Sequence, residues 1–518
     1  MNPAPRRRAP FLGLRFFDEG DAQLFCGRDE QVDDLLQKLA QARFVAVIGT
    51  SGCGKSSLVR AGLIPAVRNM GNWRIATLRP GGNPIGELAA ALERTFSATG
   101  LDVTLRRGRL GLVEAVQQCQ LAPGEKLLVI VDQFEELFRF HRETGLPDEA
   151  AAFVKLIIEA TAQRAAGVCV MITMRSDFLG NCSQFSDLPE RINDGLYLVP
   201  RMRRDQLEQA ITGPLRVSAD PIAPRLIQRL LNDVGDDPDQ LPVLQHVLLR
   251  TWTRWKEDGS DGPLDLQHYE HQAVGGLAQA LERHANQIYA GLSESLQRFA
   301  EILFRRLTDV DEARAIRRPT SFQELVNVCG GDSQTQNVRA VLEAFRAEGV
   351  SFLMPEAARP LESGTMVDIT HESLIRQWKR LRDWAQLESA DSSVYLEIEK
   401  RAGQAAGWED HLTGVQLTMA SDWLRRAFNA AWAARYGGDY ERTVRYIEDS
   451  QQAVVEAAEA AQYRERLFIL LVIVVLFVLC LEAEDLVSAL AFAAIGVVWL
   501  ELRTSSSSRV AMNKGGSA

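Results

Sequence analysis

Phe44-Val-Ala-Val-Ile-Gly49-Thr-Ser-Gly-Cys-Gly-Lys55-Ser56-Ser57 is the stretch that decides the fold. Its first five residues are an unbroken apolar run, the pattern of a strand buried on both faces, and they empty into a glycine-rich loop. From Gly49 to Ser56 the loop matches G-x-x-x-x-G-K-[ST] without departure, and a helix is expected over Ser57–Leu63. Strand, loop and helix in that order make a phosphate cradle. Glycines at 49, 52 and 54 let the backbone curl, so that the N–H groups of the loop, with Thr50, Ser51 and Cys53 between the glycines, converge on phosphate oxygens. Lys55 then neutralises the β/γ charge, Ser56 offers its hydroxyl to Mg²⁺, and Ser57 ends the cradle. The cofactor class is ATP/ADP with Mg²⁺, although these residues do not by themselves choose ATP over GTP.

Working outward, residues 29–41 place Val32, Leu35, Leu36 and Leu39 at helical spacing before the first strand. A second apolar run, Lys126–Val131, ends in Asp132, and a third, Val168–Met174, ends in Arg175. Strands alternating with helices indicate a parallel, doubly wound sheet with its ligand at the strand carboxyl ends. Asp132 therefore stands at the Walker B position, where a carboxylate holds Mg²⁺ through water. Glu135 and Glu136 follow it: either one polarises an attacking water, or both open a solvated helix whose N-terminus favours acids. Arg175 is placed to reach a γ-phosphate, or else to form a surface salt bridge.

Past residue 200 the β signal fades. Residues 203–310 read as mostly helical, and 315–384 combine helices at 321–328 and 335–348 with extended pieces at 350–354 and 366–369, which fits a winged helix. Helix returns over 385–466, where Trp408, Trp423 and Trp432 read as core anchors. His268 and His271 lack neighbouring ligands and read as surface residues. No repeat of 20–50 residues is visible, which argues against propellers and solenoids.

At 518 residues the chain needs several domains, and its 46% hydrophobic and 24% charged residues are those of a globular protein. A net charge of −10 argues against coating nucleic acid, and no direct nucleic-acid binding is expected. Seven dispersed cysteines without a C-x-x-C pair favour a reducing compartment and offer no thiolate zinc site. The start, Met1 to Pro10, is basic but lacks the apolar region of a secretory signal.

The C-terminal end departs from this globular pattern. Leu467 to Leu481 and Leu486 to Leu500 are two apolar blocks around Glu482-Ala-Glu-Asp485, each 15 residues long and so about 22 Å as a helix, against about 30 Å of hydrocarbon. Phe468 to Val478 is apolar all round, unlike a soluble amphipathic helix, and points to a membrane hairpin with help from its flanks. Arg464, Arg466, Arg503, Arg509 and Lys514 lie outside the blocks while the turn is acidic, so both ends are expected to be cytoplasmic.

Six segments in order, Phe11-Leu-Gly-Leu-Arg15, Leu24-Phe-Cys-Gly-Arg-Asp-Glu30, the phosphate loop, Asp132-Gln-Phe-Glu-Glu136, Leu241–Leu248 and Asp368–Trp378, make residues 11–450 resemble the novel STAND NTPases. These are bacterial P-loop signal-transduction ATPases, often WD40-associated. The resemblance implies an AAA-related P-loop domain with a parallel sheet (11–200), a helical domain (201–310) and a winged helix (311–384), which with the basic tail (1–10) make a multidomain α/β plus α protein. A helical extension (385–466), the transmembrane hairpin (467–500) and a cytoplasmic tail (501–518) follow. It further implies that Gly27 and Arg28 lie beside adenine and ribose, that Pro242 packs on the base, that His371 contacts the ADP β-phosphate, and that Glu136 is the preferred catalytic acid. Without the resemblance, His371 reads equally as a helix cap.

The function implied is an ATPase switch of slow, regulated turnover, closed with ADP and open and oligomeric with ATP. It would signal through a hairpin in the bacterial inner membrane, with the bulk of the chain cytoplasmic, in antiviral or cell-suicide signalling. The expected partners are other copies of the chain, the lipid bilayer and a separate sensor or signalling protein, since the hairpin stands where the family carries a long sensor. The alternative is a membrane-anchored nucleotide-binding scaffold or adaptor with little turnover.

Overall fold

A computed structural model describes residues 9–138, 147–235, 240–259, 261–311, 314–404, 410–426 and 428–482, with 487, 490, 491, 493–496 and 498 of the C-terminal end. The chain divides into two compact units, Met1–Ser389 and Ala390–Ala518.

The first unit begins with the sheet domain. Five parallel strands, β1 (Phe44–Gly49), β2 (Trp73–Leu78), β3 (Lys126–Val131), β4 (Val168–Arg175) and β5 (Leu196–Leu198), lie in the order β2-β3-β4-β1-β5. The apolar runs at β1, β3 and β4 form the three central strands, buried on both faces as unbroken hydrophobic sequence requires. The edge strands β2 and β5 were not recognised from the sequence: β2 is interrupted by Arg74 and Thr77, and β5 has only three residues. Because β4 lies between β1 and β3, with Gly49 opposite Arg175 and Val131 opposite Ile172, the phosphate loop, Arg175 and Asp132 emerge at one sheet edge. The expected helix at Ser57–Leu63 is part of a longer one. Helical residues begin at Lys55, pass through a π-type turn at Leu58–Leu63 and end at Asn69.

Helices Arg204–Ser218, Pro224–Val234, Leu241–Glu257 and Gly276–Ala290 follow, and then Glu294–Arg306 packs on Thr335–Arg346. With Phe322–Val328 and a three-stranded antiparallel sheet, β8 (Thr320–Ser321), β10 (Met366–Ile369) and β9 (Leu353–Met354), these make the winged helix. Its first helix is thus Glu294–Arg306, upstream of the expected start at 311. A further hairpin, β6 (Thr308–Asp311) and β7 (Arg314–Arg317), was read neither as strand nor as turn. One apolar core runs from Phe11 and Leu14 through the helical residues to Trp378 and Trp384, so helical and winged-helix parts share an interior with the N-terminal segment.

His268 is a correction. Only 3% exposed, it is buried rather than superficial, and its Nδ1 accepts a hydrogen bond from Asp265 N at 3.0 Å to close a capping box.

In the second unit Trp423 and Trp432 are buried in an aromatic stack with Tyr395 and Phe428, the last lying 4.1 Å from Trp432 between ring centroids. Trp408 lies outside the described residues. A helix over Tyr440–Glu482 carries the first apolar block. Among the described residues no helix is long and apolar enough to cross a membrane.

Candidate functional site

A single cavity gathers residues from every part of the first unit: Phe16 and Phe17, Arg28, Ser51 to Ser57, Glu135, Arg175, Pro242, and the winged-helix residues Arg317, Asp368, His371 and Glu372. Gly52 (φ 75°) and Gly54 (φ 91°) adopt left-handed backbone that residues with a Cβ avoid, which is what lets the loop curl around a phosphate-sized space. Lys55, 9% exposed, donates from Nζ to Thr50 O at 2.7 Å and Gly49 O at 3.0 Å. Ser57 Oγ accepts from Phe17 N at 3.1 Å and ties the N-terminal segment to the cradle.

Asp132 is 1% exposed at the end of β3. Its Oδ1 accepts from Ser56 Oγ at 2.8 Å and from Thr173 Oγ1 at 2.7 Å, while Oδ2 faces Arg60 Nε at 3.2 Å and Arg79 Nε at 3.8 Å. Burial alone would raise its pKa, but Arg79, Arg60 and the two hydroxyls outweigh burial and hold the carboxyl below its ordinary range. The guanidinium groups of Arg60 and Arg79 themselves lie over the Phe16 ring, at 5.0 and 5.5 Å from its centroid.

The two glutamates separate. Glu135 lines the cavity, 7% exposed, with Oε2 at 3.4 Å from Arg175 N. Glu136 is not among the lining residues; its Oε2 accepts from Gly81 N at 3.1 Å, and burial pushes its pKa up to about 7 against the pull of Arg79. Helical residues begin at Glu136, but neither acid opens a solvated helix, because Phe134, Leu137 and Phe138 are buried.

Arg28 donates to Pro200 O at 2.8 Å and Cys53 O at 3.2 Å, bracing the loop from behind. Gly27 does not line the cavity; a Cβ there would stand 2.3 Å from Gln206 O, so glycine permits the close approach of the helix at Arg204–Ser218. Pro242 lines the apolar wall with Leu14, Phe25, Met202 and Leu244.

His371 meets its reading as a helix cap. It lines the cavity and also caps Glu372–Gln377, its Nδ1 accepting from Ser373 N at 3.1 Å. Burial lowers its pKa to about 4, which leaves the ring neutral near pH 7. The following residue, Glu372, was missed. It bridges to Ser51, Arg175 and Arg317, and Arg317 in turn donates to Asp368 Oδ2 at 2.6 Å. Glu372 lay within a segment already singled out, whereas Arg317 stands in an irregular run of arginines with no helical or strand period to mark it. Phe16, Arg60, Arg79 and Thr173 were missed as well, because their relevance comes from contacts with Asp132 or its partners across the fold.

The site fits a phosphorylated, partly apolar ligand. Arg175 Nε, Asp368 Oδ1 and Thr370 Oγ1 belong to lining residues and are buried without hydrogen-bond partners, and Leu14, Phe25 and Pro242 line the same cavity. Ser56 and Asp132 offer one hydroxyl and one carboxylate, the sparse oxygen set of a Mg²⁺ ion otherwise held by phosphate and water.

A P-loop at the end of a β2-β3-β4-β1-β5 parallel sheet, with a buried acid on β3 and a winged helix lining the same cavity, defines a P-loop nucleotide-binding protein of the STAND kind. The chain belongs to the family Novel STAND NTPase 1, which it matches over residues 10–413. No curated protein matches it. Among solved structures it is similar to the ORC2 protein of Aeropyrum pernix in its ADPNP–ADP complexes, at 12% identity and a TM-score of 0.39, over 70% of this chain and 95% of that one. It is also similar to a Walker-type ATPase of Pyrococcus abyssi (16%, 0.35, 71% and 98%) and to the RuvB branch-migration motor of Thermotoga maritima (12%, 0.30, 71% and 98%).

Proposed function

We propose that the chain is an ATP-dependent switch that binds ADP or ATP with Mg²⁺ in this cavity, hydrolyses ATP slowly, and self-associates when its winged helix leaves the nucleotide. The observation that carries this reading is that His371 and Glu372 of the winged helix line the same cavity as the P-loop, so a bound nucleotide touches the element that must move. Lys55 and the loop N–H groups hold the phosphates, Arg28 and the Pro242 wall border the rest of the nucleotide, and Ser56 with Asp132 would hold the metal. Mg²⁺ supplies charge neutralisation on the phosphates. Glu135, the acid facing the cavity, is the better placed of the two glutamates to orient a water, and Arg175 to meet a terminal phosphate.

Signalling through a membrane hairpin at the bacterial inner membrane is the second part of the proposal. Two observations support it. The first apolar block is exposed around the helix, with Phe468 at 65% and Leu471 at 60%. Buried Gly496 of the second block would place a Cβ 3.3 Å from Ile473 Cγ2, so the blocks meet at a small residue as membrane helices do. Each block is short, which requires local thinning or snorkelling of Arg464 and Arg466. The sensor partner and the antiviral setting rest on the family resemblance alone.

Lys55→Ala tests the nucleotide reading. The variant loses the one cation in the cradle, and the full chain should lose affinity for fluorescent ADP and ATP by about a hundredfold, the upper range for a charge-assisted contact. Wild-type affinity in a folded variant overturns the site.

A further inference from the structure

The winged helix brings to the phosphate loop a carboxylate as well as an imidazole. Glu372, 7% exposed, accepts at Oε2 from Ser51 Oγ at 3.1 Å and at Oε1 from Arg317 Nε at 3.1 Å and Arg175 Nη1 at 3.4 Å. Arg317 is anchored on the winged-helix side by Asp368 Oδ2 at 2.6 Å and Ile369 O at 3.0 Å. The other two donors belong to the sheet domain. Ser51 lies in the middle of the phosphate loop, and Arg175 leaves β4 opposite Gly49, where that loop begins. These are donors that a terminal phosphate needs, and a buried carboxylate already holds both.

We infer, building on the nucleotide-switch reading, that Glu372 stands in for the terminal phosphate of a nucleoside triphosphate, so that the closed chain selects a nucleoside diphosphate. A third phosphate must compete with Glu372 for Ser51 and Arg175, and it adds negative charge to a wall that already carries Glu135 and Asp368. A buried carboxylate stripped of its partners is costly, so Glu372 must leave when it is displaced. Arg317 ties it to the winged helix, and its departure therefore takes the winged helix along. A diphosphate is one phosphate shorter and leaves the bridge in place. The bridge is insensitive to physiological pH: burial would raise the Glu372 pKa, but Arg317, His371 and Arg175 hold the carboxyl well below the usual range. Glu372 is in this sense a specificity-determining residue, choosing between two ligands of one site.

The test compares the full chain with its Glu372→Gln variant, using ADP and a non-hydrolysable ATP analogue that carry the same fluorophore. Glutamine keeps the shape and removes the charge that imitates phosphate. The preference for diphosphate over triphosphate should fall by about tenfold to a hundredfold, the worth of one hydrogen bond to a charged group, mostly through tighter triphosphate binding. Glu372→Ala removes the carboxylate and leaves Ser51 and Arg175 to the phosphate; it should shift the ratio in the same direction, and it stands in if the glutamine variant does not fold. A preference within about twofold of wild type in the folded variant overturns the role of Glu372 and leaves the nucleotide site intact. Failure of the wild-type chain to bind either nucleotide overturns the nucleotide reading itself.

Discussion

In the first unit Arg28, Lys55, Asp132, Glu135 and Glu372 are all less than a tenth exposed, whereas in the second Phe468, Leu471, Val475 and Leu479 are each about half exposed or more. One region hides charge and the other displays hydrocarbon, the reverse of what folding in water favours for each residue type. In the first region the buried ions have polar partners, so the inversion is stabilised internally: Ser56, Thr173, Arg60 and Arg79 surround Asp132, Ser51, Arg175 and Arg317 hold Glu372, and backbone carbonyls accept from Arg28 and Lys55. In the second, ten side chains between Leu467 and Leu479 are exposed, and under the membrane proposal lipid is what covers them. Ion networks suit a small ligand, and on the membrane proposal the apolar sleeve suits an extended apolar environment.

The largest expected effect comes from correcting the second inversion. Leu471→Lys with Val475→Lys places two charges at the middle of the block, and on insertion scales that costs about 5 to 7 kcal/mol. If lipid covers the sleeve, the double variant leaves the membrane fraction on flotation while its nucleotide affinity stays unchanged. Continued co-flotation of the folded variant ends the membrane proposal and leaves the cavity reading untouched.

A smaller effect is expected from unsettling the first. Asp132→Asn keeps the shape and removes the charge that Arg60 and Arg79 neutralise. Mg²⁺-dependent phosphate release should fall by about 10- to 100-fold, as when groups orienting a metal's ligands are changed. ADP binding without Mg²⁺ should fall less. Equal loss of both would place Asp132 in folding alone.

How far the sequence foretold each region follows from the range of the interactions. The P-loop, Asp132 and Arg175 were legible because each ends an apolar strand, and one pattern within ten residues fixes both strand and loop. Trp423 and Trp432 were legible as core residues because large aromatic side chains in a helical stretch are usually buried. By contrast Glu372 meets Ser51 across 321 residues and Arg317 meets Asp368 across 51, and no period or spacing encodes such pairs. Edge strands β2 and β5 escaped because one is partly polar and the other very short. His268 was read as superficial because it has no neighbouring ligands in sequence, and the capping bond to Asp265 that buries it leaves no such mark.

The smallest effect concerns Glu136, and it sharpens the contrast between its neighbours. Asp132 has four partners and its pKa is pulled down, whereas Glu136 has chiefly the Gly81 amide, and burial together with Glu135 and Asp368 drives it up to about 7. A carboxyl whose folded pKa lies above its ordinary value favours folding most below that ordinary value, and the contribution is lost as pH rises through about 7. The wild-type chain should therefore lose roughly 2 kcal/mol of stability from this group between pH 5 and pH 8, a difference readable in apparent Tm, and Glu136→Gln should flatten that slope. The same variant separates support from chemistry. If Glu136 only braces Gly81 and Arg79, phosphate release at pH 8 survives the substitution, whereas Glu135→Gln, which alters the acid facing the cavity, reduces it. If Glu136 activates water, release in the wild type climbs across pH 7 as the carboxyl ionises and is lost in its glutamine variant, and the catalytic assignment moves from the acid that lines the cavity to the one behind it.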